Sequence, residues 1–443
     1  MKIGVISLGC DKNRIDTENM LAYLQEDGHY LVQDPNEAEI LVVNTCAFIE
    51  SAKKEAIDTI FEYLEYKKTG KCKYFIVTGC LSQRYMEELY DELVEVDLFI
   101  GTTNYHKLPE LIRQLIKTNK RTYLKNDIND RYFSSKRVLS TPYHYAYIKI
   151  AEGCNNKCTY CAIPSIRGKY TSRPIEEIVS EARYLVDNYG IKEFILVAQD
   201  VSIYGQDIYG KVNLIELLKE LCDINVEWIR LLYLYPENIN DELLQYMASN
   251  DKICKYLDMP LQHVSDRILK LMGRRVNKEK IDSLFENIEK YNCFTIRTTF
   301  IAGFPQETEE DFNILLDFIK EGKINYAGCF AYSCEDGTAA ARLPGQIEES
   351  VKEDRVKKFY KLQNKMTDKY LKNRVGKVFD VIYEGIDYDK QLFYGRTQYD
   401  APDVDCKVYF SSDFAVDIGG MYKVKIDKVK DMDCFGKTII QED

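Results

Sequence analysis

Short β-branched runs alternate with helical stretches over the first third of the chain. Residues 3–8, 40–44, 74–78 and 97–101 are apolar runs of strand length, and stretches such as 16–27 and 49–68 between them have helical character. Alternation of this kind predicts a parallel sheet with helices on both faces. A polar stretch at 126–140, rich in Asp, Ser, Arg and Lys, reads as a linker. The alternation then resumes on a larger scale. Strands are expected at 145–151, 193–198, 228–234, 255–259, 295–301 and 326–331, with helices such as 174–188, 214–223 and 309–321 in the gaps. Six β/α units imply an open partial barrel, whose active site would lie at the C-terminal ends of its strands. A long charged helix over 347–373 closes this region. Beyond it, short strands at 377–383, 391–396, 407–410 and 422–429 alternate apolar with polar residues and are punctuated by Gly and Asp, which predicts a small antiparallel barrel. The expected fold class is α/β, in three domains: 1–136, 141–370 and 374–443.

Length supports that division, since 443 residues correspond to about three domains of ordinary size. A hydrophobic content of 45% is ample for buried cores. No run approaches the ~18 apolar residues of a membrane span. The N-terminus begins directly as a strand, so no signal peptide is expected. Fourteen cysteines without an export signal point to a reducing, cytoplasmic setting, where metal ligation explains some of them better than disulfides do. The net charge of −11 has the wrong global sign for a nucleic-acid binder and suits a basic protein partner better. No heptad run stands out, so a monomer is the default.

Candidate chemistry centres on cysteine. Cys154, Cys158 and Cys161 form a C-x-x-x-C-x-x-C run, CNNKCTYC, directly after the first expected barrel strand. Three thiolates this close can hold three corners of a cubic iron–sulfur cluster and leave the fourth iron open to a substrate, whereas a fully ligated cluster mainly carries electrons. A structural zinc site would need a fourth Cys or His, and the flanking histidines are His144 and His263. Cys10, Cys46 and Cys80 are far apart in sequence but share one context, each ending a strand: VISLGC, LVVNTC and FIVTGC. The C-terminal ends of parallel strands lie along one sheet edge, so these three thiols are expected to meet there as a second three-thiolate site.

With these residues in view, the chain resembles the radical S-adenosylmethionine (SAM) methylthiotransferases. The resemblance rests on GCDKNRIDTE at 9–18, the two further N-terminal cysteines, and CNNKCTYCAIPSIRGKYTSRP at 154–174. It covers essentially the whole chain, with a TRAM-like barrel at the C-terminus. It implies two [4Fe-4S] clusters, an auxiliary one on Cys10, Cys46 and Cys80 and a SAM-cleaving one on Cys154, Cys158 and Cys161. It also implies two SAM molecules per turnover, one cleaved to a radical that takes a hydrogen from the target carbon and one methylating the inserted sulfur. Of the family's two branches, one modifies a tRNA adenosine and the other the β-carbon of an aspartate in ribosomal protein uS12. The second is favoured by CDKN after the first glycine rather than CQMN, by DMPLQHVSDRILKLMGRR at 258–275, and by DAPDVD at 400–405. Charge points the same way: from Lys372 onward there are eleven Lys and Arg against fourteen Asp and Glu. A tRNA-binding barrel would be basic, while an acidic one complements a basic ribosomal protein. Cys406 stands where this branch often has Gly, a departure expected to affect only a turn.

Further SAM contacts are expected from the resemblance at Gln199 and Asp200, at Gly303 within TFIAGFP, at Arg297 toward the SAM carboxylate, and at Tyr160 between two cluster ligands. A helix cap would equally explain Asp200, a tight turn Gly303, and a sheet brace Arg297. Lys12 and Asn13, beside Cys10, are candidates to donate to cluster sulfurs, and a capped helix start explains them as well. The partners implied are uS12 or the small ribosomal subunit, a low-potential electron donor and an unidentified sulfur source. The rivals are a tRNA adenosine methylthiotransferase and, in another class, a non-enzymatic two-cluster protein for electron transfer or ribosome binding.

Overall fold

The computed structural model describes residues 1–125, 127–129, 133 and 136–439. Its first sheet contains β1 (Lys2–Ser7), β2 (Tyr30–Leu31), β3 (Ile40–Thr45), β4 (Tyr74–Gly79), β5 (Leu98–Ile100) and β6 (Thr122–Leu124). The strands run parallel in the order β2-β1-β3-β4-β5-β6. The central strand β3 is buried at every position, as expected for a parallel strand covered on both faces. Strand order reverses between β1 and β3, and a crevice for ligands opens at the carboxyl ends of strands at such a point.

The central region begins with β7 (Tyr145–Lys149). A two-residue ribbon, β8 (Ala151–Glu152) with β9 (Thr171–Ser172), follows, then β10 (Glu193–Val197), β11 (Trp228–Leu231), β12 (Tyr256–Asp258), β13 (Thr295–Ala302) and β14 (Tyr326–Ala331). The six expected barrel strands are present, split into two parallel halves, β7-β10-β11 and β12-β13-β14, joined by a bridge between Ile229 and Ile253. Alternate residues, such as Ala146, Ile148, Phe194, Leu196 and Phe300, pack outward under the helices. Tyr145, Tyr147, Ile195, Trp228, Tyr256 and Tyr326 instead share a cluster with the core of the C-terminal barrel.

That barrel is closed, from β15 (Val378–Asp387), β16 (Leu392–Thr397), β17 (Val408–Ser411), β18 (Met421–Lys430) and β19 (Asp433–Thr438), in the order β15-β16-β17-β19-β18. Four of its pairings are antiparallel and one, β17 with β19, is parallel. An odd number of strands cannot close with every neighbour antiparallel. The sequence pattern did not show β19, because DCFGKT has only two apolar positions, Cys434 and Phe435, side by side. A Cβ at Gly436 would lie 2.1 Å from the Lys425 carbonyl, so only glycine fits there. Cys406, expected to matter only to a turn, places its sulfur 3.6 Å from that of Cys434 inside this barrel.

Buried ion pairs weld the regions together. Glu193 of β10 sits between Arg230 of β11 and Arg396 of β16. Asp400 takes both Arg374, at 2.8 Å, and the Tyr326 hydroxyl, at 2.7 Å. Part of the expected linker at 126–140 lies outside the described residues. Its end is no loose tether, because buried Arg137 pairs with Glu18 of the first helix (Asp11–Glu26) and with Glu181 of the first barrel helix (Ile175–Tyr189).

Candidate active site

Each cysteine of the N-terminal trio ends a neighbouring strand. Cys10 caps the helix that follows β1, Cys46 follows β3, and Cys80 opens the helix that follows β4. The turns are cramped. Gly9 has φ +87°, and a Cβ there would lie 2.9 Å from the Cys46 sulfur; Gly79 has φ +96°, with the Thr45 carbonyl 2.4 Å from such a Cβ. Asn13 was a candidate donor to a cluster sulfur. Its amide instead donates to the carbonyls of Leu8, at 2.6 Å, and Thr45, at 3.2 Å, which staples the Cys10 and Cys46 turns together.

The second trio lies at the carboxyl end of β7. Cys154 N–H donates to the Gly168 carbonyl at 3.1 Å, and Thr159 N–H to that of Met272 at 2.9 Å, so the loop is pinned at both ends. Gly153, with φ +77°, is required here: a Cβ would lie 2.2 Å from the Lys169 carbonyl and within 2.7 Å of two more. Backbone N–H groups of Asn156 and Ile163 donate to the Cys154 and Cys161 sulfurs, each at 3.4 Å. Burial pushes the Cys80 thiol up to about 11 and the Cys161 thiol up to about 12, with neighbouring thiols adding to it. Loading with iron would therefore release protons. Among the described residues no three Cys, His, Asp or Glu groups close up around a single-ion position.

An arginine faces one sulfur of each trio. Arg167, from the helix Ile163–Arg167 after the second trio, donates to Cys80 Sγ at 3.4 Å and to Asn13 at 3.1 Å. Its other amine pairs with Asp16 at 2.6 Å and Glu152 at 3.0 Å. Arg274 lies 4.0 Å from Cys158 Sγ and over the Tyr235 ring. Three thiolates per site, a guanidinium against each, and glycine at the tight turns fit an anionic three-thiolate cluster at both positions.

The remaining expected residues separate. Tyr160 packs with Met272, Phe304 and Tyr332, beside Cys158 and Arg274. Gln199 donates to Glu152 at 2.8 Å, while its buried Oε1 has no partner among the described residues. Asp200 caps the short helix Val201–Ile203 and accepts from Asn156 at 3.2 Å, so it braces the cysteine loop; burial lifts its carboxyl to about 6. Gly303 has φ +75°, and the space of its missing side chain is filled by Lys352, 2.4 Å from a would-be Cβ. Arg297, expected toward SAM, is committed to Asp405 at 2.6 Å, so it braces the barrel against the DAPDVD loop. His263 is buried between Glu307 and Ser265. Sequence reasoning assigned no role to Arg167, Arg274 or Gly153. An arginine inside the apolar run AIPSIRG was the available signal for Arg167.

Family comparison places residues 2–101 in the uncharacterized protein family UPF0004, 148–319 in the radical SAM superfamily and 375–439 in the TRAM domain. Ribosomal protein uS12 methylthiotransferase RimO of Clostridium botulinum (strain Eklund 17B / Type B) is 47% identical over 438 residues, 98% of this chain and 97% of that protein. The protein of the same name from Acetivibrio thermocellus is 45% identical over 447 residues, 99% and 98% of the two chains. Among solved structures, the radical SAM methyltransferase TsrM from Kitasatospora setae aligns with a TM-score of 0.54 at 13% identity, over 74% of this chain and 72% of that one. The cobalamin-dependent SAM radical enzyme OxsB aligns with a TM-score of 0.53 at 12% identity, over 82% and 56%. These structures share the fold alone. With near-complete coverage at such identity, the chain belongs to the RimO family of radical SAM methylthiotransferases.

Proposed function

We propose that this protein transfers a methylthio group to the β-carbon of an aspartate in ribosomal protein uS12. The observation that carries the reading is the pair of three-cysteine sites, each at the carboxyl edge of a parallel sheet, with Arg167 running from one to the other. Residues 1–136 serve as the auxiliary-cluster domain, 141–370 as the radical SAM core and 374–443 as the substrate-binding TRAM-like barrel. Cys10, Cys46 and Cys80 would hold one [4Fe-4S] cluster, and Cys154, Cys158 and Cys161 the other. With SAM bound, these groups supply reductive SAM cleavage, hydrogen abstraction from carbon, and the sulfur and methyl that are transferred.

The chain's own residues position and shield. Gly153 and the Gly168 carbonyl set the cysteine loop, Asp200 holds that loop through Asn156, and Tyr160 and Tyr235 wall Cys158 with aromatic surface that excludes water. Gln199, with its unpartnered Oε1, is placed to accept a hydrogen bond from SAM. The acidic balance of the C-terminal barrel supports a basic protein substrate over tRNA. A substrate on the ribosome supports a cytoplasmic location, and a monomer working with a low-potential electron donor completes the reading.

The test is anaerobic reconstitution with SAM, reductant, sulfide, unmodified small ribosomal subunits and unmodified tRNA together, followed by mass spectrometry of digested protein and RNA. A methylthio gain on a uS12 aspartate is the expected result. A gain on tRNA adenosine instead would overturn the substrate assignment.

A further inference from the structure

Lys12 is a buried lysine that makes no salt bridge among the described residues, although Cys10, Asp11 and Glu152 lie near it. It is 8% exposed, and its ammonium rests 3.4 Å from the centroid of the Tyr233 ring. Desolvating an ammonium is costly unless something compensates, and one aromatic face supplies only part of that. The nearby carboxylates are engaged elsewhere. Asp11 accepts from the Tyr233 hydroxyl at 3.4 Å. Glu152 takes Lys149 at 2.7 Å, Arg167 at 3.0 Å and Gln199 at 2.8 Å.

The place matters as much as the charge. Lys12 lies two residues from Cys10, at the start of the N-terminal helix. Tyr233 follows β11 at the carboxyl mouth of the barrel, where its N–H donates to Asp258 at the end of β12, at 3.0 Å. The ammonium thus stands at the junction of the two regions that carry the cysteine trios.

We propose that Lys12 binds the carboxylate of the target aspartate, and so selects an acidic side chain for modification. The carboxylate carbon is bonded directly to the β-carbon, so an ion pair to one fixes the position of the other. A lysine acts as a point charge and tolerates the small shifts of a reacting side chain. This inference rests on the aspartate reading above and adds the residue that recognises it.

The experiment uses the reconstituted full-length enzyme and fluorescent peptides spanning the target position of uS12, with Asp or Asn there, read by equilibrium binding. Wild type is expected to prefer the Asp peptide on the order of 10- to 100-fold, the effect of one charge-assisted hydrogen bond. Lys12→Met is expected to bind both peptides alike, at the wild-type Asn level, with iron per chain and melting temperature retained. Lys12→Arg is expected to keep a preference for Asp. If Lys12→Met still discriminates as wild type does, the inference is overturned while the functional reading stands. Should Lys12→Met lose iron, Lys12→Gln and Lys12→Arg decide: preference lost with Gln and kept with Arg supports the inference, and equal preference in both overturns it. A wild-type enzyme that binds neither peptide and modifies tRNA overturns the functional reading, and the inference with it.

Discussion

Arg167 and Cys80 are 87 residues apart, in different sheets' territories, and meet at 3.4 Å. The guanidinium of one region therefore lies against the cysteine trio of another. Its charge is balanced locally, since Lys149 and Arg167 share Asp16 and Glu152. Arg167→Ala would strand part of that carboxylate charge and is expected to destabilise the fold by about 3–5 kcal/mol. Arg167→Lys keeps the charge but lacks the fork. In a background with Cys154, Cys158 and Cys161 changed to Ala, it is expected to hold less iron per chain than the unmodified arginine form, measured after identical reconstitution.

The two trios are expected to serve different steps. Cys154→Ala is expected to abolish deoxyadenosine formation from SAM. Cys10→Ala is expected to retain it while losing all methylthio product. Chromatography of the nucleoside and mass spectrometry of the substrate separate the two outcomes, and SAM cleavage by reconstituted Cys154→Ala would sink the assignment of the sites.

Two glycines with similar φ angles should behave differently. Gly190 has φ +69° and nothing within 4 Å of a Cβ, so Gly190→Ala should cost only the left-handed penalty of about 1–2 kcal/mol. Gly153→Ala adds a clash with three carbonyls and is expected to displace the cysteine loop. Melting temperature should fall further, and the iron bound by the second trio should drop; equal effects in the two variants would contradict the packing argument.

Arg297 offers a direct choice between two roles. Its pairing with Asp405 predicts that Arg297→Met leaves SAM affinity unchanged and lowers stability by about 3–5 kcal/mol, because a buried carboxylate is left without its partner. A large loss of SAM affinity with unchanged melting would instead place Arg297 at the cofactor.

Acid should loosen the C-terminal barrel. Burial raises the pKa of Glu193, but Arg396 and Arg230 outweigh it and hold the carboxyl below the usual range. A depressed folded-state pKa contributes stability above the unfolded value of about 4.3, and that contribution is lost as pH falls through the folded value. Melting curves against pH should therefore steepen below about pH 4 in wild type, and Glu193→Gln should flatten that limb.

The layout of the sheets was legible in the chain because buried parallel strands such as β3 are continuous apolar runs that nothing else in the sequence imitates. The cysteine trios were legible because strand ends in one parallel sheet share an edge. Two- and three-residue edge strands, β2 and β6, carry too few positions to show a period. Side-chain roles were hardest to read where a residue's partner is distant in sequence. Arg297 looks like a free cation until Asp405, 108 residues later, is brought to it. Gly303 looks like a cofactor turn until Lys352 fills its space. Arg167 and Lys12 are plain in the sequence, but only packing shows that Arg167 is paired with Asp16 and Glu152 while Lys12 makes no salt bridge among the described residues.

The reach of Arg167 into the Cys80 site also sets an order of events during synthesis. When Cys80 leaves the ribosome, all three N-terminal thiols exist but the cation that faces them does not. The chain must lengthen by 87 residues first, by which time Cys154, Cys158 and Cys161 have been made as well. An iron–sulfur delivery system that meets the nascent N-terminal region would find a pocket missing one wall. The wall that Arg167 lends to the N-terminal trio therefore exists only once the central region has been made and has folded against the first.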